Sequence, residues 1–223
     1  DMRRQLLKLG APPEKVFLNP YGIDPEEFTA IDSSQNPPDL VAVGRFAPKK
    51  APQLTIEAFA QIADQFPEAK LRFAGEGPLL ESCQALAEKL GLSDRILFLG
   101  KQSPAQVAEL LRQSRAFVQH SLVTEDGDSE GLPLAVLEAM ATGLPVVSTF
   151  HAGIPDAVHS GIHGLLSPER DLPRMAQNMA EVLSDGNLAR EMGERGNQRV
   201  QLLFTRSRYL NNLAQLIRNC TQT

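Results

Sequence analysis

Two glutamates, Glu130 and Glu138, lie eight positions apart in the stretch SEGLPLAVLEAMATGLPVVST, which runs from Ser129 to Thr149. Between them, GLPLAVL reads as the opening of a buried helix. Eight residues of helix would separate the carboxylates by about 12 Å of rise, more than the ~5–9 Å of a glycosidase pair. They are better spaced to reach two ends of one extended ligand. Glu138, inside the helix, could accept both hydroxyl hydrogen bonds of a ribose diol. Glu130, at the mouth, could meet a sugar. The N–H groups of Gly131, Leu132 and Leu134 lie between, at a helix start that favours a diphosphate. Pro133 lacks an N–H but suits a first turn. A blander reading stays open, with Glu130 as a helix-dipole partner and Glu138 as an exposed face residue. Against it, LPLAVLEAMA is apolar on every other face, and a carboxylate there is costly without a partner.

The elements that would position these groups follow from periodicity. Short apolar runs at 40–43, 71–74, 96–99, 116–118 and 145–147 predict buried strands. Helical stripes lie between them: Leu54, Ala58 and Ile62 beside Phe59, Ala63 and Phe66, and Val107, Leu110, Leu111 and Ser114 behind Pro104. Strand–helix alternation of this kind predicts an α/β fold, a Rossmann-like parallel sheet with helices on both faces. After Ser148 a Gly-rich region reads as irregular. Helices follow, one marked by Leu172, Met175, Ala176, Met179, Val182 and Leu183, then others over 188–204 and 206–219. The first thirty residues read as a short helix, a strand at 16–18 and a turn-rich connector.

Ligands of such a sheet sit beyond the carboxyl ends of its strands. The first end delivers VGRFAPKK, with Gly44, Arg45, Lys49 and Lys50; the second delivers AGEGPL, with Gly75 and Gly77. Glycines let a ligand approach backbone, and Arg45 and Lys50 add positive charge, a combination suited to a diphosphate. Tight strand-to-helix turns explain the same glycines equally well. GEGPLL lacks the third glycine of a dinucleotide fingerprint, and there is no P-loop.

Composition excludes other classes. A net charge of −5, 5% aromatic residues and no Trp give no basic, stacking face for nucleic acid. No apolar run approaches the ~20 residues of a membrane span. Cys83 and Cys220 form neither framework nor metal spacing, which predicts a reducing, cytoplasmic setting. Asp126 and Asp128 form a D-x-D in an acidic loop, and we expect no metal there. His120 either touches the ligand from the rim or is satisfied locally. The other histidines, His151, His159 and His163, lack metal spacing. The arginines after residue 194 read as a solvated helical surface, with anionic lipid or a further domain as the alternative contact.

VGRFAPKKAP, GEGP, FLG and EGLPLAVLEAMATGLPVVST…GIPDAV…HGLL together resemble the donor-binding half of the retaining glycosyltransferases of family four, which have the GT-B fold. The resemblance runs from about Lys15 to the C-terminus. It implies that Glu130 contacts the donor sugar, Glu138 the ribose, and Arg45 and Lys50 the diphosphate, with the backbone of Gln102 reading the base. It implies a UDP-glucose type donor, no metal or other cofactor, and bacterial exopolysaccharide or lipopolysaccharide synthesis. Residues 1–30 then correspond to the tail of an N-terminal acceptor domain and linker, 31–205 to the donor domain, and 206–223 to a helix crossing back. The chain opens on Asp1, as a piece of a longer protein would. The N-terminal half, which would meet a glycan or lipid-linked acceptor and bring peripheral contact with the inner membrane face, is expected to be absent. The isolated chain is then expected to bind donor but transfer sugar weakly. A non-catalytic nucleotide-sugar module that needs a partner chain is the alternative.

Overall fold

The structure, a computed structural model, describes residues 2–221; the side chain of Cys220 and residues 1, 222 and 223 of the expected segments lie outside it. After helix α1 (Met2–Lys8) and a connector, strand β1 (Leu40–Val43) enters the sheet. It is followed by α2 (Pro52–Ala60), β2 (Leu71–Ala74), α3 (Leu80–Lys89), β3 (Ile96–Phe98), α4 (Pro104–Arg112) and β4 (Ala116–Val118). The second half runs α5 (Leu134–Thr142), β5 (Val146–Thr149), α6 (Ile154–Ala157), β6 (Gly164–Ser167), α7 (Leu172–Ser184), α8 (Gly186–Leu203) and α9 (Arg206–Thr221).

All six strands are parallel, in the order β3-β2-β1-β4-β5-β6. The direction of winding reverses between β1 and β4, which opens a crevice at their carboxyl ends. Alternate residues of β1 point to opposite faces: Leu40 and Ala42 pack with α2, α3 and α7, while Val41 packs with α4, α5 and α8. The sheet is therefore buried on both faces, as parallel sheets are. Local chemistry agrees with this layout. Ser103 and Gln106 close a capping box on α4, whose first residue is Pro104.

Two expectations fail. Residues 16–18 form no strand; the connector joins the body through Ile23, whose N–H donates to Phe204 O (2.9 Å) and whose carbonyl accepts from Arg206 N–H (2.6 Å). The Val16 N–H is taken up by the Pro13 carbonyl of a 3-10 turn (3.3 Å), and Phe17 and Leu18 are exposed. Conversely, β6 was hidden in the Gly-rich region. Gly164 begins it because a side chain there would run into the Val146 carbonyl, so the strand opens on a residue that reads as a turn.

The site depends on how α5 is held. It ends at Gly143, in the left-handed conformation (φ 84°), whose N–H donates to Met140 O (3.0 Å). Gly193 of α8 packs on that turn so closely that a Cβ would overlap the Gly143 carbonyl oxygen. Gly193→Ala should therefore cost about 1–3 kcal/mol through overpacking, seen as a lower urea midpoint. An unchanged midpoint would mean that α8 moves off α5 freely.

Candidate functional site

The loop after β1 builds one wall of the crevice, with Val43, Gly44, Arg45, Phe46, Lys50 and Gln119 lining it. The Lys50 side chain is 17% exposed and lies across Gly44, where a Cβ would sit 3.1 Å from its Cδ and Cε. Its ammonium donates to Gln119 Oε1 (3.3 Å) and stands 3.6 Å from Glu130 Oε1. Burial pushes the Lys50 pKa down, and the Glu130 carboxylate pulls it back up. Arg45 is exposed beside it, and its guanidinium has no hydrogen-bond or ion-pair partner among the described residues. Lys49, by contrast, is committed: its ammonium bonds Asp128 Oδ1 (3.0 Å) and Ser129 O (3.3 Å), tying down the acidic loop.

The opposite wall is α5 and the turn before it. The helix begins only at Leu134, with Pro133 as its N-cap, so Glu130 lies in the preceding loop and the expected separation along one helix does not apply. Among the described residues, the N–H groups of Gly131, Leu132 and Leu134 donate to no other protein group. Three donors are thus left without a protein acceptor at the start of a helix, the positive end of its dipole. Glu130 Oε1 is buried and has no hydrogen-bond partner. Glu138 is half-buried on the second turn, and its carboxylate likewise makes no hydrogen bond or ion pair among the described residues. Burial, reinforced by the Glu27 carboxylate, raises its pKa above the ordinary range.

Other expected residues fare differently. A side chain at Gly75 would meet the Gly44 carbonyl, and one at Gly77 would meet Phe46 O at 2.6 Å. Those glycines are required by the close packing of the loops after β1 and β2, whatever else approaches them. The Gln102 side chain folds back to Leu99 O (2.6 Å), leaving its backbone N–H and carbonyl without protein partners. His120 is not on the rim. It is fully buried, its Nε2 accepts from Arg170 N–H (3.0 Å), Nδ1 meets Met175 Sδ (3.2 Å), and burial pushes its pKa down to about 4. Asp126 accepts from the Thr124 hydroxyl and Asp128 pairs with Lys49; among the described residues no group of three His, Cys, Asp or Glu could hold a metal ion. Cys83 is buried in α3, where desolvation raises its thiol pKa to about 11. Sequence reasoning missed Gln119, His151 and Glu169. Only the topology brings them to this end of the sheet, and no spacing signals them.

These features define a class: a doubly wound Rossmann-like domain with an exposed Arg45 and a Lys50–Glu130 ion pair at the carboxyl end of its sheet, beside a helix start whose amides, like the Glu138 carboxylate, have no hydrogen-bond partner among the described residues. The chain belongs to the glycosyl transferases group 1, whose family profile matches residues 24–199. It is 33% identical over 216 residues to WcaL of Salmonella typhimurium, assigned as a colanic acid biosynthesis glycosyltransferase, which covers 96% of this chain and 53% of that protein. The chain thus spans about half the length of the curated relatives it matches. Its fold superimposes on Anabaena HepE in complex with UDP with a TM-score of 0.86 at 18% identity, covering 97% of this chain and 61% of that one. It also superimposes on the C-terminal domain of the group 1 family protein LpcC from Francisella tularensis (TM-score 0.71, 21% identity, 82% of this chain and 99% of that one). The domain therefore matches one half of a GT-B glycosyltransferase.

Because the folded state raises the Glu138 pKa, its ionised form weakens the fold at neutral pH, and that cost shrinks as pH falls from the raised value to the ordinary one, below which it is gone. Glu138→Gln should therefore melt above the wild type at pH 7. The difference should shrink on acidification and disappear below the ordinary carboxylate range. A variant that melts lower at pH 7 would show that Glu138 has an internal partner.

Proposed function

We propose that this chain is the donor half of a retaining glycosyltransferase of bacterial exopolysaccharide or lipopolysaccharide synthesis, and that it binds a nucleotide-diphosphate sugar of the UDP-glucose type. The observation that carries the reading is the row of free N–H groups at Gly131, Leu132 and Leu134, set between two carboxylates that lack hydrogen-bond partners. A diphosphate would accept from the amides, a ribose diol would donate to Glu138, and a sugar hydroxyl would donate to Glu130. The free backbone of Gln102 would read the base. The name of WcaL supports the pathway class, and HepE, solved with UDP, supports the nucleotide.

In the reaction the bond between the sugar's anomeric carbon and the diphosphate oxygen breaks, and an acceptor hydroxyl oxygen bonds that carbon on the same face while its proton passes to the departing diphosphate. Arg45, Lys50 and the amides of the turn stabilise the charge that builds on the departing diphosphate. That work needs no metal. The acceptor, a glycan or lipid-linked sugar, would be held by an N-terminal half beyond this chain, with residues 1–30 as its tail and linker. α1 and α9 have no buried side chains among the described residues, and Leu6, Leu210 and Ile217 are exposed on them. These helices would pack on that half, in a cytoplasmic enzyme in contact with the inner membrane face.

Calorimetric titration with UDP, GDP and UDP-glucose, with and without EDTA, tests the reading. We expect saturable, EDTA-insensitive binding of UDP and UDP-glucose, weakened about tenfold or more by Glu138→Ala, in keeping with loss of hydrogen bonds to a charged group. Absence of binding at millimolar ligand, or equal binding by Glu138→Ala, would contradict it. In the full-length enzyme, Arg45→Ala should depress kcat by one to two orders of magnitude with little change in melting temperature. Intact turnover would remove Arg45 from the mechanism.

A further inference from the structure

The loop that carries Glu130 is clamped from outside the crevice. His151, just beyond β5, has a side chain with no solvent exposure. Its Nε2 lies 3.0 Å from the backbone nitrogen of Glu130 and accepts that N–H. Its Nδ1 lies 2.7 Å from Glu169 Oε1. One nitrogen must accept and the carboxylate can only accept, so the ring is the neutral tautomer with its proton on Nδ1. Two residues further on, Gly153 N–H donates to Gly131 O (3.0 Å), so the same short segment grips both Glu130 and Gly131.

Glu169 is itself held in place. Its other oxygen accepts from Val123 N–H (3.0 Å), at the start of the acidic loop, so one carboxylate joins three loops. The following residue donates its N–H to the buried His120. Backbone strain gathers at this junction. Ala152, between the two gripping residues, has φ 45°, and Arg170, next to Glu169, has φ 65°; they are two of the three non-glycine residues with positive φ among the described residues. Such conformations persist where the surroundings over-determine them, and they cluster at functional sites.

We propose that His151, oriented by Glu169, is a positioning residue for Glu130, fixing the loop so that its carboxylate faces the donor sugar. With no acceptor at Nε2 the Glu130 amide would be a partly buried donor without a partner, and the loop would turn to find water. The proposal rests on the reading of Glu130 as the sugar contact, and it predicts a split. Loss of the clamp should weaken binding of the sugar-bearing donor and leave the nucleotide alone.

His151→Asn keeps a donor toward Glu169 but cannot reach the Glu130 amide, whereas His151→Gln restores an acceptor near the Nε2 position. In calorimetry we expect His151→Asn to bind UDP-glucose about tenfold more weakly, with UDP affinity within about twofold of wild type, and His151→Gln to recover most of the loss. Equal weakening of both ligands, or no weakening of either, would overturn the proposal. Amide hydrogen exchange in the ligand-free chain tests the clamp without any ligand. The Glu130 N–H should exchange at least about tenfold faster in His151→Asn and slow again in His151→Gln; an unchanged rate would overturn the clamp. Should the wild type bind neither ligand, the donor-site reading falls and the exchange result still decides the clamp. Should His151→Asn fail to fold, Glu169→Ala, at a partly exposed position, must speed exchange at the same amide or the proposal fails.

Discussion

Parallel pairing of β1 with both β2 and β4 is the constraint on which the rest of the molecule depends. Because the winding reverses there, the chain leaves β1 and β4 toward opposite faces of the sheet, and no connection fills the space between. The loop after β1 supplies Arg45 and Lys50 on one side. The loop after β4 leads to Glu130 and α5 on the other. Neighbouring strands deliver the supports: Gln119 at the end of β4 holds Lys50, and His151 after β5 holds Glu130.

Within that crevice the electrostatics are deliberately incomplete. The sheet pairs its backbone groups in ladders, and Ser103, Asp171 and Asp185 cap α4, α7 and α8, yet several polar groups near the start of α5 stay unpaired. Glu138 is half-buried without a partner, Glu130 Oε1 is buried without a hydrogen bond, and three amides before α5 are free. Lys50 and Glu130 neutralise each other only loosely, at 3.6 Å. Buried polar groups in folded proteins are otherwise almost all satisfied. A ligand with an anionic centre and hydroxyls at both ends would satisfy these together, and the fold carries the cost of waiting for it.

Much of this was legible in the sequence, for identifiable reasons. Five strands announced themselves because strands buried on both faces are continuous apolar runs, such as LVAV and AFV. The sixth did not, because Gly164 is required by its closeness to Val146 and reads as a turn. The candidate carboxylates, cations and amide donors stand out in the sequence because they cluster in one stretch or one loop. Their geometry was not, since Pro133 delays the helix and leaves Glu130 in a loop. Gly75 shows a limit of pattern reading: the sequence offers a turn and a ligand approach as reasons for the glycine, and the structure adds a third, the Gly44 carbonyl packed against it. His151 and Glu169 are invisible for another reason. Each is an ordinary polar loop residue, 18 positions from the other, and only the adjacency of β5 and β6 makes them a pair.

A crystal structure of the chain grown with UDP-glucose is the most direct test of the central claim. The account predicts the ribose hydroxyls on Glu138, the diphosphate against the amides of Gly131 to Leu134 with Arg45 and Lys50 closing over it, and the glucose toward Glu130. A nucleotide seated elsewhere, or a Glu138 carboxylate out of hydrogen-bond reach of the ribose, would contradict it.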